Sequence, residues 1–543
     1  MLWQKQKIIT LGKYLVIIIL PLILFLSIQT ASQTLLCPDS FYHAKMADFL
    51  AKGQLIQNFT WLPYTIFSHS YINHHFLYHL FLIPFVKLFD PLAGIKIATA
   101  IFATLAVFVF YWFLKKFKIK FPIFWTFLLL TSSVFLTRIN LAKVPAAALP
   151  LLFLSLYALF KKKLVLLSIL AFAYVWFYNT WPILVVLIFV YCFANAIKKT
   201  TDQSNLFKKN RTKIINFIKF IFSQENLILV FWCLLGITGG LVLNPYFPEN
   251  IYFNWVHIVK IGLRNYQNIL PVGVEWYPYN PITLIFDNLL IVLPWIIGLG
   301  WFFISLKKRG EEKIFGQSLK SICLILFSSL FFVYTIKSRR NIDYFIPLAI
   351  LSAAFSFNNL LTYLPWKQYW QELKVFKKNI HYILISALLT FLLITILIFS
   401  STAIFKNIWL SKKNEFSKGV NFNQYKNVSQ FLKENTDRNE IIFHSSWDEF
   451  PALFYHNDYN YYLAGLDPTF SYEENKPLYW LWYNIITGQQ TKDIALTIKN
   501  IFQANLVFIK KSYSKMKETI DQDQSFELIY QDNDGYVYQI KNL

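Results

Sequence analysis

The chain has 543 residues, 56% of them hydrophobic, 19% aromatic and only 15% charged, with a mean hydropathy of +0.42. A soluble chain of this length carries about a quarter charged residues spread over several domains, so a wholly soluble protein is excluded and most of the chain must be dissolved in lipid. The formal net charge of +23 does not indicate nucleic acid. It is split into short clusters between apolar runs (Lys115 to Lys120, Lys161 to Lys163, Lys198 to Lys219, Lys307 to Lys320, Lys367 to Lys378), the pattern of cytoplasmic loops under the positive-inside rule, with no nucleic-acid recognition motif beside it.

In chain order, Lys5, Lys7 and Lys13 precede an apolar run from Tyr14 to Ile28. This reads as a retained first span with its N-terminus inside, since Ala31-Ser32-Gln33 is a poor cleavage site. Apolar runs of near twenty residues recur to about Ile404, enough to cross a hydrocarbon core of about 30 Å as helix. Backbone polar groups must be satisfied internally in lipid, and no alternating strand pattern is present, which excludes an outer-membrane barrel. Spans are predicted near 14–30, 95–114, 121–137, 144–160, 164–180, 182–197, 226–243, 283–304, 319–336, 344–361 and 380–404, about eleven crossings. Phe76 to Phe89 is apolar but short, contains His79 and Pro84, and would invert every later basic cluster if it crossed. It is read as a juxtamembrane or re-entrant helix at the outer face.

The predicted fold class is therefore an all-α polytopic membrane domain over residues 1–404, with juxtamembrane helices and a first external loop at 31–92. A soluble extracytoplasmic α/β domain follows over 405–543. Within the latter, Gln424 to Asn435 has helical periodicity, Glu440 to His444 reads as a strand, and Lys492 to Phe502 as a helix. Asn505 to Lys510 reads as a strand, Lys515 lies in a helical stretch, and Phe526 to Ile540 is a hairpin turning at Asp532-Asn533-Asp534-Gly535. The four cysteines, Cys37, Cys192, Cys233 and Cys323, show no metal spacing, and three of them fall inside apolar runs.

Titratable groups crowd the first external loop. Asp39, Tyr42, His43 and Lys45 follow the first span closely, and His74, His75 and His79 end the loop. A glycosyl transfer needs a carboxylate to take a proton from the attacking hydroxyl and cations to stabilise a departing phosphate, and these residue types supply both. The plainer reading of Asp39 is an N-cap for the helix that follows. His75 and His79 have the spacing of a metal pair on one helix face, but no third ligand is placed to complete it. Contacts of His43, Lys45, His74 and His75 to phosphate or headgroups are expected instead. The external segments Arg138 to Lys143 and Lys337 to Tyr344 are basic against the positive-inside bias, which suggests an anionic ligand held by Arg138, Lys143, Arg339 and Arg340; anchoring to lipid headgroups by snorkelling side chains is the plainer reading of any one of them.

An external first loop opening with an Asp and an aromatic-His stretch, followed by a multi-span body, resembles the GT-C class of polytopic glycosyltransferases. These use polyprenyl-phosphate-linked sugars and carry an essential aspartate in that loop, to which Asp39 corresponds. Arg339-Arg340-Asn341-Ile342-Asp343-Tyr344 resembles the Arg-containing segment before a late span, and the soluble C-terminal region is similar to that of oligosaccharyltransferase catalytic subunits. The resemblance also implies a glutamate in a late external loop, matched by Glu275 in Gly273-Val274-Glu275-Trp276. Two departures matter. Where oligosaccharyltransferases have an acidic Asp-x-Asp motif for a divalent metal, Arg138-Ile139-Asn140-Leu141-Ala142-Lys143 is basic, so a metal is not favoured and the chain is closer to lipid-phosphate sugar transferases. Their Trp-Trp-Asp acceptor signature is only partly echoed by Ser446-Trp447-Asp448.

The resemblance implies an integral-membrane transferase of a bacterial or archaeal cell membrane. It would move a sugar from a polyprenyl-phosphate carrier to an extracytoplasmic glycan, lipid or protein, with Asp39 as general base, Glu275 as a second catalytic residue and no certain cofactor. An O-antigen polymerase or ligase would depend instead on arginines in large external loops. A transporter or flippase would carry charge at mid-membrane.

Overall fold

The computed structural model describes residues 2–203, 211–307, 318–363 and 411–541. Helix α1 (Leu2–Gln29) leads into a two-residue strand, β1 (Thr34–Leu35), and then α2 (Asp39–Ala51). Two short helices follow, α3 (Phe67–Ser70) and α4 (Phe76–Leu88). Helix α5 (Pro91–Lys116) begins sharply because Asp90 accepts from the backbone N–H groups of Leu92 and Ala93 and Pro91 occupies the first helical position. α4 is 13 residues long, too short to cross about 30 Å as helix. It folds back on α5 so tightly that a Cβ at Gly94 would stand 2.6 Å from the Phe85 carbonyl oxygen.

The bundle continues through α6 (Pro122–Phe127), α7 (Ser133–Ile139), α8 (Pro145–Phe160), α9 (Leu164–Phe177), α10 (Pro182–Gln203), α11 (Arg211–Ile221) and α12 (Gln224–Val242). α9 and α12 lie backbone to backbone, since a Cβ at Gly236 would come within 2.1 Å of the Ser168 carbonyl oxygen. Small residues at such a spacing let membrane helices approach closely. After α13 (Glu249–Trp255) come α14 (Pro281–Asp287), α15 (Leu289–Lys307), α16 (Leu319–Lys337) and α17 (Ile342–Tyr363). Ile23, Ile169, Phe189, Phe231, Phe303 and Val333 all face outward and are exposed, as lipid-facing side chains are.

Five helices are long and apolar enough to cross a membrane, or seven if each of two bent pairs counts as one span. The expected eleven crossings are not reached among the described residues, and the expected span at 380–404 lies outside them. The runs at 121–137 and 283–304 are not single helices. The first bends by 86° between Thr131 and Ser133, the second by 105° between Asp287 and Leu289. Ser132 is extended and caps α7 through a bond from the Phe135 N–H, and its hydroxyl donates to the side-chain carbonyl of Asn288 at the other break. The predicted spans at 144–160 and 164–180 become helices of 16 and 14 residues.

The C-terminal region opens with α18 (Lys413–Ser417) and β2 (Val420–Asn421), which pairs antiparallel with β1 in the register Thr34 to Asn421 and Leu35 to Val420. Next come α19 (Lys426–Glu434), β3 (Ile441–His444), α20 (Phe450–His456), β4 (Tyr461–Tyr462), α21 (Pro468–Glu474) and α22 (Lys476–Ile486). The last elements are α23 (Ile494–Asn500), β5 (Ala504–Lys510), α24 (Ser514–Asp521), β6 (Phe526–Gln531) and β7 (Gly535–Ile540). The five-stranded sheet has the order β4-β3-β5-β7-β6, with β3 parallel to β4 and β5, and β7 antiparallel to β5 and β6. The strands and hairpin expected from sequence stand within a residue or two of their positions. Helices α20, α21 and α22 were not foreseen. α20 packs against α2: Phe454 lies between Phe59 and Trp61 of the first loop, and Trp61 Nε1 donates to the Asp458 carbonyl at 2.8 Å.

Candidate active site

Asp39 is the first residue of α2, and its carboxylate caps no backbone N–H. The N-cap expectation is thus corrected. The carboxylate instead meets Lys143 Nζ at 2.7 Å, and its place at the positive end of the helix favours the anion. Lys143 is largely buried. Burial disfavours its ammonium, but Asp39, with Cys37 and Glu275 further off, more than compensates and lifts it above the ordinary lysine range.

Around this pair lies a cavity of about 630 Å³. Its lining comes from the first loop (Cys37, Asp39, His43, His74, His75), from α7 and the turn after it (Arg138, Lys143), from His257, from the 272–276 loop, from Arg339 and Arg340, and from Trp447, Asp448 and Asp467 of the C-terminal region. All the sequence-predicted site residues except Lys45 converge there. Lys45 turns the other way, to Asp458 at 3.0 Å and the Tyr455 carbonyl at 3.3 Å, and fastens α2 to α20.

The cations form one wall. Arg138 grips Asp343 in a bidentate fork, Nε to Oδ1 and Nη2 to Oδ2 both at 2.8 Å, and also donates to Glu275. Forked pairs of this kind fix the guanidinium plane as well as its position. Arg340 lies 3.8 Å from Glu275, donates to the Tyr178 hydroxyl at 2.8 Å, and stacks over Trp276 at 4.1 Å. Burial would raise the Glu275 carboxyl, but Arg138, Lys143 and Arg340 outweigh it and hold it well below the carboxylate range. The backbone fixes this arrangement: Ser338 Oγ donates to the Glu275 carbonyl at 3.1 Å, and the Arg339 N–H to the Tyr277 carbonyl at 3.1 Å. Arg339 itself is exposed at the rim, bonded to the Pro278 carbonyl and lying over Tyr279.

Histidines line the cavity next to the cations: His75 lies 5.4 Å from the ring of Tyr178, the tyrosine that Arg340 bonds. His74 stacks against Phe253, with His257 5.5 Å and His75 4.0 Å from its ring. His43 lies 5.1 Å from both His75 and His79. Burial pushes His43, His75 and His257 well below the ordinary imidazole range and His74 down to about 4, so this wall is polar but uncharged near neutrality. The Cys37 thiol, buried beside Asp39, is pushed up to about 11.

Three residues that sequence reasoning did not single out complete the site. Asp343 is the fork partner of Arg138; its signal was an acid at a span start next to two arginines. Asp467, in a segment read only as a turn, caps α21 through the Thr469 N–H at 2.8 Å and faces the cavity. Burial pushes its carboxyl up to about 6 despite the bonds from Thr469. Asp448 brings a buried Oδ1 without a partner among the described residues, and the neighbouring Trp447 donates to the Pro271 carbonyl at 3.3 Å.

No group of three His, Cys, Asp or Glu side chains among the described residues is arranged to hold a metal ion. Asp39 and Glu275 each face cations of this chain, and the segment corresponding to the acidic metal motif supplies Arg138 and Lys143. The donor set does not fit a divalent cation.

By sequence, no family profile and no curated protein matches the chain. By structure, the archaeal oligosaccharyltransferase AglB from Archaeoglobus fulgidus, solved with an inhibitory peptide and a dolichol-phosphate, superposes with a TM-score of 0.57 at 13% identity. That match covers 97% of this chain and 74% of AglB. ArnT from Cupriavidus metallidurans, bound to undecaprenyl phosphate, superposes with a TM-score of 0.53 at 12% identity over 97% of this chain and 98% of ArnT. This is the GT-C fold. The GT-C arabinofuranosyltransferase AftD from Mycobacteria gives a TM-score of 0.56 at 10% identity, over 98% of this chain and 40% of AftD. Several helices among the described residues are apolar and long enough to cross a bilayer, as a multi-pass membrane protein requires.

Proposed function

We propose that the chain is a membrane glycosyltransferase that moves a glycosyl unit from a polyprenyl-phosphate carrier to a hydroxyl-bearing acceptor on the extracytoplasmic side. The observation that carries the reading is convergence. Asp39, Lys143, Arg138, Glu275 and Arg340, drawn from separate loops, line one cavity in a fold shared with AglB, ArnT and AftD.

In this mechanism the acceptor hydroxyl oxygen attacks the anomeric carbon from the face opposite the phosphate, with inversion. The bond from that carbon to the phosphate oxygen breaks, and its electron pair leaves on the carrier phosphate. The hydroxyl proton passes to the Asp39 carboxylate, which Lys143 orients. Lys143 and Arg340 face the developing phosphate charge, and cations already fixed in place by their ion pairs and hydrogen bonds need no reorganisation to stabilise it. Glu275 is too strongly held in its ionised form to act as an acid near neutrality. It acts as a positioning residue that aims Arg138 and Arg340. Trp447, Asp448 and Asp467 border the cavity from the C-terminal region and would meet the acceptor, a glycan, lipid or protein. The C-terminal region of about residues 405–543 is accordingly taken to be extracytoplasmic, and the membrane part to be residues 1–404.

The test is transfer by the purified protein in nanodiscs, with a panel of synthetic polyprenyl-phosphate sugars and envelope-derived acceptors. Release of free carrier phosphate together with a glycosylated acceptor supports the reading. No release with any donor, from protein that is folded and monodisperse, would sink it.

A further inference from the structure

His43 is held by a chain of hydrogen bonds that determines which of its nitrogens carries the proton. Asn73 Oδ1 accepts the backbone N–H of His75 at 3.3 Å and is therefore the carbonyl end of the amide. His79 Nδ1, 2.8 Å from the same oxygen, must be the donor. A neutral imidazole has one N–H and one lone pair, so His79 Nε2 accepts. His43 Nδ1, 2.8 Å away, then donates to it, and His43 is left with a lone pair on Nε2. His43 lines the cavity, and among the described residues no protein donor is bonded to that nitrogen.

The surroundings keep the ring in this state. It packs against Tyr42, Tyr78 and His75, burial opposes its protonation first, and His79 and the Lys143 ammonium add to the opposition. His43 also stands four residues after Asp39 on α2, one helical turn along the same face. Whatever it touches adjoins the reacting carbon.

The geometry points to His43 Nε2 as an acceptor for a hydroxyl of the glycosyl unit, which makes the histidine wall the sugar subsite and the cationic wall the phosphate subsite. This rests on the transferase reading above and names the class of sugar it takes. The wall offers lone pairs and N–H groups but no net charge. It fits the hydroxyls of a hexose or pentose.

The test compares the affinities of the full chain in nanodiscs for bare polyprenyl monophosphate and for the same carrier bearing a hexose or its monodeoxy analogues. The unaltered chain should prefer the hexosyl carrier over the bare one by about tenfold, the worth of a buried hydrogen bond. His43→Phe, which keeps an aromatic ring but has no acceptor nitrogen, should lose that preference, read as the ratio of hexosyl to bare carrier affinity. One deoxy analogue should bind both proteins equally weakly, and Asn73→Leu, which frees the His79 tautomer, should reduce the preference. An undiminished preference in His43→Phe overturns the proposal, and so does an equal penalty on every deoxy analogue. If His43→Phe does not fold, Asn73→Leu and the deoxy series on the unaltered chain decide it. A chain that binds no bare carrier at all fails the transferase reading, whereas one that binds it without preferring the glycosylated form fails only the role of His43.

Discussion

Lys143 Nζ lies 2.7 Å from Asp39 Oδ2, and both side chains face the cavity. In the proposed mechanism the lysine therefore does two things at once: it fixes the carboxylate that would receive the acceptor proton, and it faces the phosphate that would leave. Replacing Asp39 by Asn keeps the shape and removes the base. Transfer should fall by about 10²–10⁴-fold, with the gel-filtration profile in detergent unchanged. A fully active Asp39→Asn protein would remove the central residue of the mechanism.

Arg138 answers two carboxylates, Asp343 and Glu275, from a largely buried position. Arg138→Met should destabilise the protein by about 3–5 kcal/mol, because two acids lose their partner where water is scarce. The combined change Arg138→Met with Asp343→Asn should recover part of that loss. Thermal unfolding of the single and double variants measures it, and a double variant no more stable than the single one would show that the fork is not the source of the cost.

Arg340 is less enclosed by acids: its contacts are Tyr178, the Trp276 face and a distant Glu275 oxygen. Arg340→Gln should weaken binding of bare polyprenyl monophosphate by roughly tenfold, the scale of one charge-assisted bond. Arg339→Gln, at the exposed rim, should weaken it by less. Equal losses, read by competition binding, would contradict this division between cavity and rim.

Asp467 gives a pH prediction whose sign can be worked out. Its carboxyl is pushed up to about 6 by burial, so the folded state favours the protonated form. That contribution is complete below the ordinary carboxyl value and is lost as pH rises through about 6; above it the fold carries a buried carboxylate. Asp467→Asn preserves an N-cap side chain and removes the charge. It should stabilise the protein at pH 8, on the order of 1–2 kcal/mol after allowing for solvent reaching the cavity, and make little difference near pH 4. Melting curves at the two pH values check it; an unchanged midpoint at pH 8 would mean that the anion is already compensated.

Much of the site was legible because single residues advertised it. Asp39 sits behind a proline just past the first apolar run, and Arg138, Lys143, Arg339 and Arg340 stand in short polar segments between apolar runs. The strands of the C-terminal sheet were legible from alternation and from the Asp532 to Gly535 turn. What could not be read were relations across long sequence separations. Lys45 and Lys143 look equivalent as loop lysines, but one meets Asp458 and the other Asp39. The chain from Asn73 through His79 to His43 is a set of tautomers, and composition does not encode it. The bends at Ser132 and Asn288 were invisible because hydropathy sums side chains and is blind to an interrupted backbone ladder.

Those two bends are joined to each other. Ser132 Oγ donates to Asn288 Oδ1 across 156 residues of chain, with α7 carrying Arg138 on one side and α14 following the Glu275 loop on the other. Two kinks pinned together cannot straighten separately, so stretching one apolar segment strains the partner and pulls on both ends of the Arg138–Glu275 pair. In the proposed transferase, mismatch between these apolar segments and the bilayer should therefore act on the site. Turnover in nanodiscs of graded acyl length should pass through an optimum, and Asn288→Leu, which unpins the kinks, should flatten that dependence.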